Sequence, residues 1–517
     1  MNKKSRTENS MLNILSGFIG QGLALLGSFV CRMVFVRCLS QEYLGVNSLF
    51  TSILSMLSLA ELGIGSAMGF ELYQAIAKKN EDEISAYIHL YGKAYRIIGC
   101  IISIIGIAIM PFLNYFIAEP PNIKENIYII YILYLFNSVF GYFCGGYKGS
   151  LINADQRGYQ LTILNNVVIL MQDLFQAIFL VITHEFYIYL IWQILATVTI
   201  NLFTVYLTNK QYPFICEKRY IKLKTNKINR LFKNVKSILL SKVSAYLVTG
   251  TDSVIISALN GLSATGVTAN FGLLTSAMNN ILLQIVNGLS ASVGNLNAKE
   301  ELGKKREFFW IVQFICKWLF GWSTISFLIL ANDIVSICFG TDYTVSFGIV
   351  LALAINFYMV GMMNPVEMFQ KTMGLFKYGQ YLGLFTGVIN IVVSIFLGKK
   401  LGVLGILLGT AISRILTNYT YIPFALFKHG LRIQPIKYFI DYMVNVVIIG
   451  LITLFILQFT NTISSIFYFS FEMTFIVKLI LCVLIPNICF LLLYRRSKSF
   501  VYLKCKICNI KKKIIHR

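Results

Sequence analysis

The sequence predicts an all-α polytopic membrane protein of about fourteen transmembrane helices. They form two parallel six-helix lobes with two further helices at the C-terminus. Three observations predict it. First, 57% of the residues are hydrophobic and only 13% charged, where a soluble chain is about a quarter charged. The apolar residues come in blocks of about 20, the length a helix needs to cross about 30 Å of hydrocarbon. Helices satisfy their own backbone groups in lipid, and the weak alternation of a membrane β-barrel is missing. Second, Lys and Arg are concentrated in alternate connecting segments. Third, the chain repeats itself.

In order, the spans fall near 11–38, 42–74, 96–117, 127–147, 161–183, 187–208, 237–259, 265–293, 309–331, 345–369, 380–398, 403–427, 438–459 and 473–494. The first has a basic flank like a signal peptide. Its apolar part is too long, and no small-residue cleavage site closes it, so it reads as a retained span. The connections are short, as in "LSQE" at 39–42 and "LNGLSATG" at 259–266. No connecting stretch could house a soluble catalytic domain.

Most of the 45 Lys and Arg lie in the N-terminal tail, in segments 75–96, 148–160, 209–236, 297–308, 370–379 and 428–437, and in the C-terminal tail. The opposite turns hold Arg37, Lys124, Lys399 and Lys400. The positive-inside rule makes the rich side and both termini cytoplasmic, which an even number of spans requires. The net charge of +23 is therefore a topology signal, helped by anionic inner-leaflet lipid. It does not point to nucleic acid.

The duplication shows in "GVNSLF" at 45–50 and "GVTANF" at 266–271, 221 residues on, and in "RGYQ" at 157–160 and "YGQY" at 378–381. Six spans return the chain to the same side, so the copies are parallel. Such repeats occur in secondary transporters, with the substrate path between halves. The expected organisation is an N-terminal lobe (1–210), a basic cytoplasmic linker (211–236), a C-terminal lobe (237–428), two appended helices (429–496) and a basic tail (497–517).

Ionisable residues inside spans are costly and mark pathways or pairs. At 1.5 Å per residue, Asp173 lies roughly 18 Å into its span and Arg414 near the midplane too. Arg32 and Asp252 occupy outer halves of the first and seventh spans. Glu61, in "SLAELGIGSAMGFEL" at 58–72, falls in the cytoplasmic part of the second, with Glu71 further down at the surface. Arg32 and Arg414 are expected to hold an anionic headgroup, since guanidinium binds phosphate bidentately. Glu61, Asp173 and Asp252 are expected to pair with them, gate the path, or carry H⁺ or Na⁺. The alternative is that the charges only join helices, and for Glu61 and Lys317 that they reach an interface.

Asn280, Gln284 and Asn287 share one helix face by their i, i+4, i+7 spacing, and Asn165, Asn166, Gln172 and Gln176 line the fifth span. Amides hydrogen-bond sugar hydroxyls, and equally join helices. Gly65 and Gly69 form a GxxxG pattern that suits close helix packing. Cys505 and Cys508 are a lone CxxC with only His516 near, too few ligands for zinc. Neither a metal nor another cofactor is expected. The four His form no catalytic constellation.

The stretch "RMVFVRCLSQEYLGVNSLFTSILSMLSLAELGIGSA" at 32–67, with "TGTDSVIIS" at 249–257, resembles the polysaccharide-transporter branch of the MOP superfamily, the Wzx-type flippases. The resemblance implies a MATE-like V of two lobes. It also implies alternating access that carries undecaprenyl-diphosphate-linked oligosaccharide to the outer leaflet of the bacterial cytoplasmic membrane, for capsule, O-antigen or exopolysaccharide. Arg32 and Glu61 match the first hairpin and Asp252 the start of the second lobe. The implied partners are the polyprenyl-linked glycan, membrane lipid, and a glycan polymerase and glycosyltransferases, with the protein itself a monomer. The rivals are a lipid II flippase or drug/cation antiporter of the same superfamily and, from another class, a membrane glycan polymerase or ligase.

Overall fold

The computed structural model describes residues 6–216 and 250–505 apart from Phe376, Gln380 and Phe469, with a few positions between 235 and 248. Lys242, Cys508, His516 and nearly all of the basic linker lie outside the described residues. The chain forms two compact units, residues 1–266 and 267–517. The described residues are overwhelmingly helical, and none is in a strand.

The first unit holds α1 (Arg6–Cys38), α2 (Gln41–Leu57), α3 (Leu59–Ala77), α4 (Glu81–Ile109), α5 (Ile127–Phe143), α6 (Gly149–Ala154), α7 (Tyr159–Thr183) and α8 (Phe186–Gln211). α9 (Asp252–Lys299) starts in this unit and continues into the second. The second unit adds α10 (Leu302–Phe339), α11 (Phe347–Thr372), α12 (Leu382–Leu401), α13 (Val403–Leu416), α14 (Asn418–Ala425), α15 (Ile436–Phe467) and α16 (Phe471–Tyr494). A short helix, α17, covers 498–505.

Local chemistry sets the ends. Asn80 caps α4 by accepting from the Glu83 N–H, ahead of three acidic first-turn residues that suit the positive helix end. Asn126 and Ser470 cap α5 and α16 in the same way. Among the described residues, ten helices are each long and apolar enough to cross a membrane, eleven if the bent pair α5–α6 counts as one. The other expected spans correspond to α1, to α2 with α3, and to the division of α9 at Gly261. There the connection expected at 259–266 is reduced to one non-helical residue, Gly261, with φ 85°. A positive φ is readily available only to glycine, so two helices join at this kink with almost no loop.

α1 packs along α7, and α7 against α8. Gly20 and Gly27 of α1 admit the side chains of Asn166 and Asp173. In the second unit, α15 and α16 pack on α10. Phe309, Phe320, Phe357, Phe369, Phe427 and Phe490 form the centre of that core. Two ion pairs reinforce it: Lys317 to Asp441 at 2.5 Å, and Lys478 to Asp333 at 2.7 Å.

Two local expectations are revised. Glu71 is not at the surface: it is 4% exposed and accepts from the Tyr87 hydroxyl at 3.0 Å. The GxxxG pair does not seat a helix backbone. Among the described residues, a β-carbon on Gly65 would meet only the Tyr91 hydroxyl, and one on Gly69 would meet nothing within 4 Å.

Candidate functional site

The second span is broken where the carboxylate sits. α2 ends at Leu57, Ser58 turns the chain, and α3 begins at Leu59. The Ser58 hydroxyl donates to the Leu54 carbonyl at 3.0 Å, and its own carbonyl accepts from the Glu61 N–H at 3.1 Å. Glu61 thus stands in the first turn of α3, the end that favours a negative charge.

Its carboxylate is held by two phenols from other helices. Tyr95 of α4 donates to one oxygen, and Tyr142 of α5 to the other at 2.6 Å. Tyr91 donates on to Tyr95 at 3.4 Å. The rings of Tyr91 and Tyr95 lie 4.7 Å apart, and Tyr142 and Tyr147 pack on Tyr95 at 5.3 and 5.5 Å. Two charge-assisted hydrogen bonds make this an anchored carboxylate, held by two members of a four-tyrosine cluster.

The open side of Glu61 faces a cavity of about 370 Å³. Ser55, Ser58, Tyr134, Asn137, Ser138 and Gln193 line it, with Thr51, Tyr246 and one apolar residue, Leu54. Tyr134 donates to Asn47 at 2.6 Å. Two buried acceptors, Asn137 Oδ1 and Gln193 Oε1, have no hydrogen-bond partner. Such groups are costly unless something donates to them. The cavity therefore suits a ligand rich in hydroxyls.

Arg32 of α1 lies close enough to Tyr134 and Tyr189 to act on both electrostatically. Tyr134 lines the cavity, so the guanidinium is within electrostatic reach of that wall. Asp173 of α7 belongs to a neighbouring cluster. It is 8% exposed and accepts from Ser28 of α1 at 2.9 Å. Gln176, one turn on, donates to the Tyr189 carbonyl at 2.9 Å and accepts from Gln172 at 3.2 Å. These amides join α1, α7 and α8. Asp252 is the half-buried first residue of α9, and its neighbour Ser253 accepts from the Ser48 hydroxyl at 3.3 Å.

The second-unit residues are placed separately. Arg414 is 7% exposed and donates to Asn356 of α11 at 2.9 Å, while Asn356 donates to the Leu407 carbonyl. Arg414 thus ties α13 to α11. Asn280 and Asn287 are exposed on α9, and Gln284 between them is half-buried. Exposed amides on a spanning helix do not join helices; they present polar atoms to whatever faces them. The same unit carries an apolar groove of about 490 Å³ lined by residues such as Leu328, Ile355, Tyr358, Met359, Met443 and Val446.

Tyr95, Tyr142, Tyr134, Asn137 and Gln193 were not legible as site residues in the sequence. One signal was present: Tyr91 and Tyr95 share a helix face one turn apart, below a carboxylate on the preceding span.

This architecture is that of MOP-superfamily transporters. A lipid II flippase, MurJ, in an inward closed conformation is similar, with a TM-score of 0.64 at 14% identity over 93% of this chain and 98% of that one. An inward-facing multidrug resistance MATE family transporter reaches 0.62 at 14% identity, over 79% and 96%. A mutant form of the Vibrio cholerae MATE transporter VcmN reaches 0.52 at 13%, over 82% and 99%. No curated protein matches the sequence. The chain belongs to the polysaccharide biosynthesis protein family, whose description matches residues 7–290, more than half its length; this is the polysaccharide-transporter family of the MOP superfamily.

Proposed function

We propose that this multi-pass membrane protein carries a polyprenyl-diphosphate-linked oligosaccharide from the cytoplasmic to the outer leaflet by alternating access. It would serve capsule, O-antigen or exopolysaccharide assembly in a bacterial cytoplasmic membrane. The observation that supports it is the Glu61 cavity, with its unpartnered acceptors at Asn137 and Gln193. Sugar hydroxyls are donors, and they would satisfy both atoms in a place where hydrocarbon cannot. Arg32, within electrostatic reach of Tyr134, would supply the charge a diphosphate needs. The polyprenyl tail requires only apolar surroundings and can stay in the bilayer. Glu61 would carry the coupling proton or Na⁺, because it is the one carboxylate among the described residues of that cavity wall.

The test is transport in vesicles. Purified protein is reconstituted with a fluorescent lipid-linked oligosaccharide, and its arrival in the opposite leaflet is timed. Asn137→Leu with Gln193→Leu removes both acceptors. Flipping should stop while the folded protein persists. Flipping at the parent rate would show that the cavity does not hold the glycan. Lipid II or a hydrophobic cation as the preferred cargo would favour the related transporters instead, and lengthening of the glycan a polymerase.

A further inference from the structure

A second polar cavity, of about 580 Å³, lies in the second unit where α10 and α15 meet the end of α16 and the start of α17. Lys317, Lys437 and Lys498 line it, with Asp441, Glu307 and the hydroxyls of Ser497 and Ser499. Lys317 is committed, donating to Asp441 Oδ1 at 2.5 Å and lying 5.2 Å over the Tyr494 ring. Lys437 sits 5.4 Å over the Trp310 ring, which also lines the cavity. Ser497 accepts from the Phe500 N–H at 3.2 Å, so the first turn of α17, a positive helix end, borders the same space.

Two groups on this wall are unsatisfied. Gln313 is 1% exposed, and neither its amide nitrogen nor its amide oxygen has a hydrogen-bond partner. Asp441 Oδ2 is buried and equally unpartnered. The wall therefore combines positive charge, one free donor and two free acceptors. A buried amide with nothing to bond is rare in a native protein and calls for a partner.

We propose that this cavity binds the headgroup of a membrane phospholipid: a phosphodiester that brings a hydrogen-bond donor of its own, as phosphatidylglycerol and phosphatidylethanolamine do. Lys437, Lys498 and the start of α17 meet the phosphate. The glycerol hydroxyls or the ammonium N–H groups meet Asp441 Oδ2 and Gln313 Oε1. Choline has no such donor and leaves both acceptors empty. Inorganic phosphate answers the lysines and has no apolar part to hold it among Trp310, Ile311 and Phe314. The rings of Trp310 and Tyr494 suit the headgroup level of a bilayer, and the Lys and Arg bias puts this end of the helices on the cytoplasmic side.

The experiment is lipid binding by the full chain in detergent, read by native mass spectrometry and by thermal unfolding. Phosphatidylglycerol, phosphatidylethanolamine and phosphatidylcholine with matched acyl chains are compared, with inorganic phosphate as a fourth arm. The first two should bind about tenfold tighter than phosphatidylcholine. Lys437→Ala with Lys498→Ala, both exposed at the rim, should weaken phosphatidylglycerol about thirtyfold, on the scale of two near-surface lysines. Gln313→Leu should narrow the preference over phosphatidylcholine. Equal binding of all three lipids, or no effect of the rim pair, would overturn the proposal. So would inorganic phosphate stabilising the protein as well as the lipids do, since the site would then be for a free anion. None of these readouts involves transport, so their failure leaves the flippase reading standing.

Discussion

Gly45 lies so close to Leu262 that a β-carbon on it would fall 2.0 Å from the Leu262 carbonyl oxygen. The contact is answered at the repeat's own spacing. A β-carbon on Gly266 would fall 2.3 Å from the carbonyl oxygen of Gln41, and both partners are 221 residues apart in the same sense as the two glycines. The Ser263 hydroxyl donates to the Gln41 side chain at 2.5 Å beside them. These two glycines open "GVNSLF" and "GVTANF". The repeat therefore preserves glycine where two backbones touch.

Gly45→Ala and Gly266→Ala should each lower thermal stability in detergent, by about 1–3 kcal/mol, the usual cost of overpacking. The obstructing atoms are backbone and cannot rotate away. Gly69→Ala, with nothing within 4 Å, is the control and should be neutral or slightly stabilising. An unchanged melting temperature for Gly45→Ala would show that the turn yields easily.

Tyr142→Phe removes a donor from Glu61 and should cost about 1–3 kcal/mol, the penalty for a charged group losing a hydrogen bond. The same change in a Glu61→Leu background should cost much less. A double-mutant cycle in melting temperature reads the difference, expected at about 0.5–3 kcal/mol. Strict additivity would mean the phenol and the carboxylate do not support each other.

Lys478→Met leaves the half-buried Asp333 carboxylate without its partner between α10 and α16, and should destabilise by about 1–3 kcal/mol. Lys478→Met with Asp333→Leu should recover most of that loss, because an apolar pair avoids the desolvation of both charges. If the double variant is as unstable as the single one, the pair is more than a helix fastener.

Arg32→Ala and Arg414→Ala should separate. Arg414, tied to Asn356 in the interior of its unit, should lose folded stability. Arg32→Ala should chiefly slow flipping of the lipid-linked glycan. Melting curves and vesicle transport together decide it; loss of transport in Arg414→Ala at an unchanged melting temperature would return that residue to the substrate path.

Much of the fold was legible because lipid imposes one rule on every span. A helix must be apolar for about 20 residues, and this shows in the sequence whatever it packs against. The exceptions were informative. Glu61 stood out as a carboxylate in an apolar run, and it proved to be the anchor of the polar cavity. Gln313, Asp441 and Asp333 did not stand out, since each is a single polar residue whose meaning depends on a partner more than 100 positions away or on none.

The sequence by itself determined the helical membrane architecture, the duplication and the asymmetry of positive charge, because each is a property of composition along one dimension. Only the tertiary structure decided which polar residues meet. Tyr95 and Tyr142 reach Glu61 from helices 34 and 81 residues away, while Arg414 turns inward to Asn356 and Asn280 turns outward. In hydrocarbon a polar side chain is worth burying only against a partner. Where that partner lies is set by which faces of neighbouring helices pack, and apolar periodicity does not encode that when every face is apolar.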